Sequence, residues 1–240
     1  MVPGPRPYLQ PTPLLIAAGV LLVLAIVFGP QLWVRSVLRR HAADRPDFPG
    51  TGGELARHLL DLGGLKDVPV ETTPAGDHYD PVDRVVRLAE ANHDGRSITA
   101  VAVAAHEVSH ALQHADGNPL IAHRVRLATI VRQIEIAAAV VLAAAPVMAA
   151  LTRSPALLAI QAAVVVILLA SRVVMHVATL PLELDASFGR ALPVLDKGGF
   201  LSPSDLPAAR QVLRAASLTY FASALLTLLD VTRLFRILRF

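Results

Sequence analysis

The chain has 240 residues, no cysteine, 54% hydrophobic residues and 17% charged ones. Soluble domains carry about 25% charged residues, so a single soluble core of this size could not hide so much apolar surface. The apolar content and the small net charge of +3 exclude a disordered chain, and the missing cysteines exclude a disulfide-stapled domain and thiolate metal ligands.

The first 13 residues form a Pro-rich N-terminal tail with one Arg. Leu14 to Val34 then runs without a charge, and a helix needs about 20 apolar residues to cross a bilayer. The run ends in Trp33, Arg35, Arg39 and Arg40, an aromatic-basic anchor. It reads as a retained transmembrane helix over 14–34 rather than a cleaved signal.

Residues 35–127 hold most of the charge, the turn dipeptides and most of the His, and read as a soluble domain. Thr51 as cap, Glu54 three residues later and Gly63-Gly64 as a stop predict a helix over 51–62. Val68 to Thr72 and Arg84 to Leu88 predict short strands, with a turn at Asp77 to Pro81. Ser97 caps a predicted helix reaching about His114, stopped by Asp116-Gly117 and Asn118-Pro119.

Two further uncharged runs predict a transmembrane hairpin over 128–151 and 156–180, connected at Thr152 to Pro155. A polar segment follows at 181–214. A weaker fourth helix over 215–238 spans or lies at the interface. Lys and Arg in the short flanks place the 35–127 domain and the 181–214 segment in the cytoplasm. Arg233, Arg236 and Arg239 oppose this if the fourth helix spans. The expected class is α+β: a polytopic α-helical protein of the plasma membrane with a cytoplasmic soluble domain.

The chemistry centres on His106-Glu107-Val108-Ser109-His110. Two His at i and i+4 project from one helix face and can reach one zinc ion. Glu107 can act as general base on a zinc-activated water. With nine His and six Glu in the chain, a chance HExxH is expected about 0.01 times. A catalytic zinc takes three protein ligands and leaves one position open.

Three residues compete for the third place. His114 lies too far along a straight helix to converge with the other two. Asp116 would match the metzincin pattern, but that pattern needs Gly at 113, and 113 is Gln. Glu183 is the only Glu after Glu135 and lies just beyond the hairpin. A carboxylate beside an apolar helix is costly unless paired or metal-bound, so Glu183 is preferred over a plain ion-pair role. Asp185 and Ser187 could then orient a ligand His.

Arg172, His176 and Glu183 share one face of the third helix, whose alternative reading is snorkelling of Arg172. If Arg84 to Leu88 is an edge strand, a substrate could add to it. His78, Tyr79 and Tyr220 are unranked candidates for stabilising a developing oxyanion.

Six stretches carry a resemblance to a known family: Tyr79 to Pro81, Arg84 to Leu88, Gly95 to Ser97, Ala105 to His114, Leu180 to Glu183 and Leu218 to Tyr220. Together they resemble the YugP-type family of membrane neutral zinc metallopeptidases, over nearly the whole chain after about residue 14. The resemblance implies His106 and His110 as zinc ligands and Glu107 as base. The order of HExxH, hairpin and Glu is also similar to HtpX-type gluzincin proteases, which supports Glu183 more loosely. Two positions depart from those patterns: Ser109 stands where such helices carry Gly, and Ser187 where gluzincins carry Asp.

The cytoplasmic domain is therefore expected to be a zincin-like catalytic domain, and the expected function is zinc-dependent hydrolysis of peptide bonds in membrane proteins or peptides at the bilayer. No nucleic-acid partner is expected. The alternatives are a catalytically silent protein braced by zinc and a zinc-dependent hydrolase of a non-peptide substrate.

Overall fold

A computed structural model of the protein describes residues 13–152 and 154–227. The expected tail therefore lies outside the described residues apart from Pro13, as do Arg153, the end of the fourth predicted helix and its three arginines. Among the described residues the chain is mostly helical, with one small sheet.

Helix α1 (Pro13–Arg40) outruns its predicted apolar stretch and carries Arg39 and Arg40 in its last turn. Its buried residues are Val27, Val34 and Val37, a stripe at helical spacing. Helix α2 (Gly52–Leu62) starts at the predicted capping box: Thr51 accepts from the Glu54 backbone N–H at 3.2 Å, and Glu54 accepts from the Thr51 N–H at 2.8 Å.

Three strands follow, β1 (Val70–Thr72), β2 (His78–Asp80) and β3 (Val85–Leu88), with a short helix α3 (Glu90–His93). The order in the sheet is β1-β3-β2, so β3 is the central strand. It pairs in parallel with β1 (Val70 opposite Val86) and antiparallel with β2 (Tyr79 opposite Val86). This corrects the edge-strand reading of Arg84 to Leu88: both of its sides are taken, and no substrate can add there. It also corrects the turn at Asp77 to Pro81, most of which is β2. The turn sits one step later, where Asp80 Oδ1 accepts from the Val82 and Asp83 N–H groups and Arg84 adopts φ 52°.

Helix α4 (Ile98–Ala115) is capped by Ser97, whose side chain accepts from the Ala100 N–H at 3.0 Å. It is the hub of the fold, packed on by α2, α3, β2, β3 and later helices. Five alanines among its first fourteen residues let these neighbours approach on every side. Around it lie Leu60, Val86, Leu88, Leu195 and Leu213, all essentially inaccessible to solvent.

The hairpin consists of α5 (Pro119–Thr152) and α6 (Pro155–Leu184). Helix α5 begins nine residues before its predicted start, because Asn118 Oδ1 accepts from the Leu120 N–H and Pro119 is suited to a first helical turn. Arg172 of α6 pairs with Glu135 of α5 across the hairpin. Helix α6 passes directly into a π-helical segment (Asp185–Ala191), then α7 (Leu192–Lys197). Helix α8 (Leu206–Thr227) returns beside α1 and α6.

Among the described residues, three helices are long and apolar enough to cross a membrane: Pro13–Arg40, Pro119–Met148 and Ala159–Lys197. Their most apolar windows are only 6%, 17% and 6% buried within the protein, so they present apolar side chains outward, as lipid contact requires. Within its described residues α8 does not join them.

Candidate metal centre

His106, Glu107 and His110 are buried side by side on α4, 2%, 5% and 3% exposed. The i, i+4 spacing brings the two imidazoles together, ring centres 4.7 Å apart. Glu183, also 2% exposed, arrives at the end of α6. Its Oε2 lies 3.3 Å from His106 Nε2 and 3.1 Å from His110 Nε2. Among the described residues, these three are the group whose ligand atoms lie within 4.8 Å of one another.

The hydrogen bonds fix where the imidazole protons sit. The Gln113 amide nitrogen donates to the Leu182 carbonyl at 3.1 Å and to Asp185 Oδ2 at 2.7 Å. Its Oε1 must therefore accept from His110 Nδ1, 2.9 Å away. Ser187 Oγ spends its one proton on the Leu213 carbonyl at 3.1 Å, so it accepts from His106 Nδ1 at 3.0 Å. With a proton on each Nδ1, the neutral form of each imidazole turns an Nε2 lone pair toward a carboxylate oxygen. Three acceptors meeting in a buried space call for a cation, and a His2Glu donor set is one that holds zinc.

Glu183 is held from its other side. Arg124 of α5 donates to Oε1 at 2.6 Å, leaving Oε2 for the shared point. The Arg124 guanidinium also lies 5.0 Å from the centre of the Tyr220 ring, which stacks on His176 at 5.9 Å.

Glu107 faces the same region. Its Oε2 accepts the Tyr79 backbone N–H at 2.9 Å, and burial pushes its pKa up to about 7 against the opposing pull of His106. A cleft of about 400 Å³ opens over it, lined by His78, His106, Glu107, Thr219 and Tyr220, with Leu38 of α1 at its side.

The other sequence candidates lie elsewhere. His114 Nδ1 is 2.9 Å from the Tyr79 hydroxyl, and Asp116 pairs with Arg190 at 2.6 Å, so neither joins the metal group. Arg172 reaches Glu135 instead of ending as a lone snorkelling cation, and His176 packs on Tyr220. Ser109 is accommodated because its hydroxyl donates back to the Ala105 carbonyl at 2.7 Å. Ser187 occupies the position where an Asp was expected and meets the same His106 nitrogen.

Sequence reasoning missed Gln113 and Arg124. Gln113 was legible as the residue three past His110, on the same face. Arg124 was legible as a cation entering an apolar helix, which needs a buried partner.

A family model described as "Putative neutral zinc metallopeptidase" matches residues 16–239. The chain is 35% identical over 212 residues to "Putative membrane protease YugP" of Bacillus subtilis (strain 168), covering 88% of this chain and 90% of that one. No solved structure matches. The matched length takes in α4, the hairpin and α8, and with the His2Glu group in place the chain belongs to this family of zinc metallopeptidases.

Proposed function

We propose that the protein is a multi-pass membrane metallopeptidase that hydrolyses peptide bonds at the membrane surface, with His106, His110 and Glu183 as zinc ligands and Glu107 as general base. The observation that carries this reading is the convergence of three lone-pair donors beside a buried carboxylate, at the floor of a cleft. The Lys/Arg flanks support a cytoplasmic position for the catalytic domain, residues 35–127 with the 181–214 segment.

Zinc bound there supplies a Lewis acid that polarises a carbonyl and acidifies a water. Glu107 takes the proton of the attacking water. Its Oε2 is anchored on the Tyr79 N–H, which leaves Oε1 as the proton acceptor. A carboxylate poised near neutral pH can also return that proton to the leaving amine.

Of the three oxyanion candidates, the Tyr79 hydroxyl is engaged with His114. His78 Nδ1 donates to the Gly76 carbonyl at 2.8 Å, so neutral His78 has no proton at Nε2. Tyr220 lines the cleft with a hydroxyl proton to give. We therefore assign the oxyanion contact to Tyr220, with Arg124 and His176 against its ring as positioning residues.

The silent, zinc-braced alternative needs a fourth protein ligand. Among the described residues none of His78, His114 and His176 joins the metal group. In the test, full-length protein is assayed on a quenched peptide library in detergent, with bound zinc measured by mass spectrometry. Glu107→Gln should lower turnover by about 10²–10⁴-fold with zinc retained. Tyr220→Phe should lower kcat by about 10²-fold, again with zinc retained. Wild-type protein that binds zinc yet cleaves no peptide would overturn the reading.

A further inference from the structure

Most arginines of the non-membrane region are spoken for. Arg45, Arg57, Arg87 and Arg190 each reach a carboxylate within 3.3 Å. Arg84 on the β2–β3 turn is one exception, and a cluster where α1 meets α8 is another. Arg39 and Arg40 end α1, and Arg210 and Arg214 lie one turn apart on α8. All four are exposed and none has an acidic partner among the described residues. The two helices are tied at this level by His41 Nε2, 3.4 Å from Gln211 Oε1.

The surface here is also concave. Pro203, Leu206, Pro207, Arg210, Gln211 and Arg214 line a groove of about 340 Å³. Its depth follows from α1: the apolar run ends at Val34, so Arg39 and Arg40 stand at the headgroup level of the bilayer. A lining of apolar side chains beside guanidinium donors suits a ligand that is anionic at one end and apolar at the other. Guanidinium groups match phosphate oxygens in pairs.

We propose that this groove binds the phosphate headgroup of an anionic phospholipid. The inference rests on the reading of α1 as a membrane span and is independent of the peptidase chemistry. It places a lipid beside the catalytic cleft, since Leu38 and Ala216, each within two residues of the cluster, line that cleft.

The test titrates delipidated, full-length protein with short-chain phosphatidylglycerol, phosphatidylcholine and inorganic phosphate, reading occupancy by native mass spectrometry. Phosphatidylglycerol should bind at least tenfold tighter than phosphatidylcholine, and inorganic phosphate should not displace it. The double variant R210Q/R214Q should weaken phosphatidylglycerol by about thirty-fold. Arg84→Gln, a likewise unpaired arginine on the β2–β3 turn, should leave it unchanged. Equal binding of the two lipids, an unaltered double variant, an equal loss in Arg84→Gln, or displacement by phosphate alone would each overturn the proposal. Thermal midpoint and zinc content confirm that the double variant is folded. If it is not, the R39Q/R40Q pair serves, with the same direction expected.

Discussion

Helices α4 and α6 both deliver side chains to the candidate metal centre, and they do so by opposite means. Helix α4 is enclosed by protein, with 14 of its 18 residues buried, and presents His106 and His110 in a register set by the helix itself. Helix α6 exposes nearly all of its apolar window and offers Glu183 only where the span ends. Its alignment depends on the π-helical turn that follows, in which the Leu192 N–H reaches the Ser187 carbonyl five residues back. Local spacing makes one half of the site; docking of a distant helix makes the other.

The largest effect expected from this contrast is on the metal itself. His110→Ala should strip zinc from the purified protein, because a two-ligand remnant leaves a poor site. Glu183→Ala should also lose zinc, and should in addition loosen the α4–α6 contact, seen as faster hydrogen exchange at the end of α6. Equal exchange in both variants would mean that α6 docks without its carboxylate.

A smaller effect separates the supporting contacts. Ser187→Ala removes the acceptor for His106 Nδ1 from the α6 side, and Gln113→Leu removes that for His110 from the α4 side. Each should weaken zinc by about 10–100-fold by competitive chelation. Gln113→Leu should be the worse of the two, since Gln113 also holds the Leu182 carbonyl and Asp185.

The smallest effect tests whether the α4 scaffold can be weakened without touching the metal. Thr51→Ala breaks the capping box of α2, which packs against α4. It should cost about 1 kcal/mol of stability in a denaturation measurement and leave zinc stoichiometry unchanged.

The same contrast explains what could be read in advance. Caps at Thr51 and Ser97, the HExxH face and the apolar spans are local patterns, and the structure keeps them with shifts at helix ends. Glu183 was reached by its rarity and its place after the hairpin. The central position of β3 was not legible, because strand order depends on β1 and β2 pairing from either side. Strand β2 itself was hidden by Asp77, Asp80 and Pro81, residues whose local preference is for turns. Ser187 was legible as a residue that could orient a ligand His, but the π-helical turn has no short sequence signature, and so which His it meets could not be read beforehand.

The span between His110 and Glu183 has a thermodynamic side. The two residues are 73 positions apart, and the intervening chain contains the whole hairpin. An ion shared between them is a covalent-like cross-link closing that long loop, a constraint that would cost about 4 kcal/mol of chain entropy in a free polymer. On the proposed multi-pass reading, membrane insertion of α5 and α6 would restrain the loop beforehand and lower that cost. The bilayer would then act as a preorganising template: it would bring the far carboxylate within reach, and the domain would need only to clasp it.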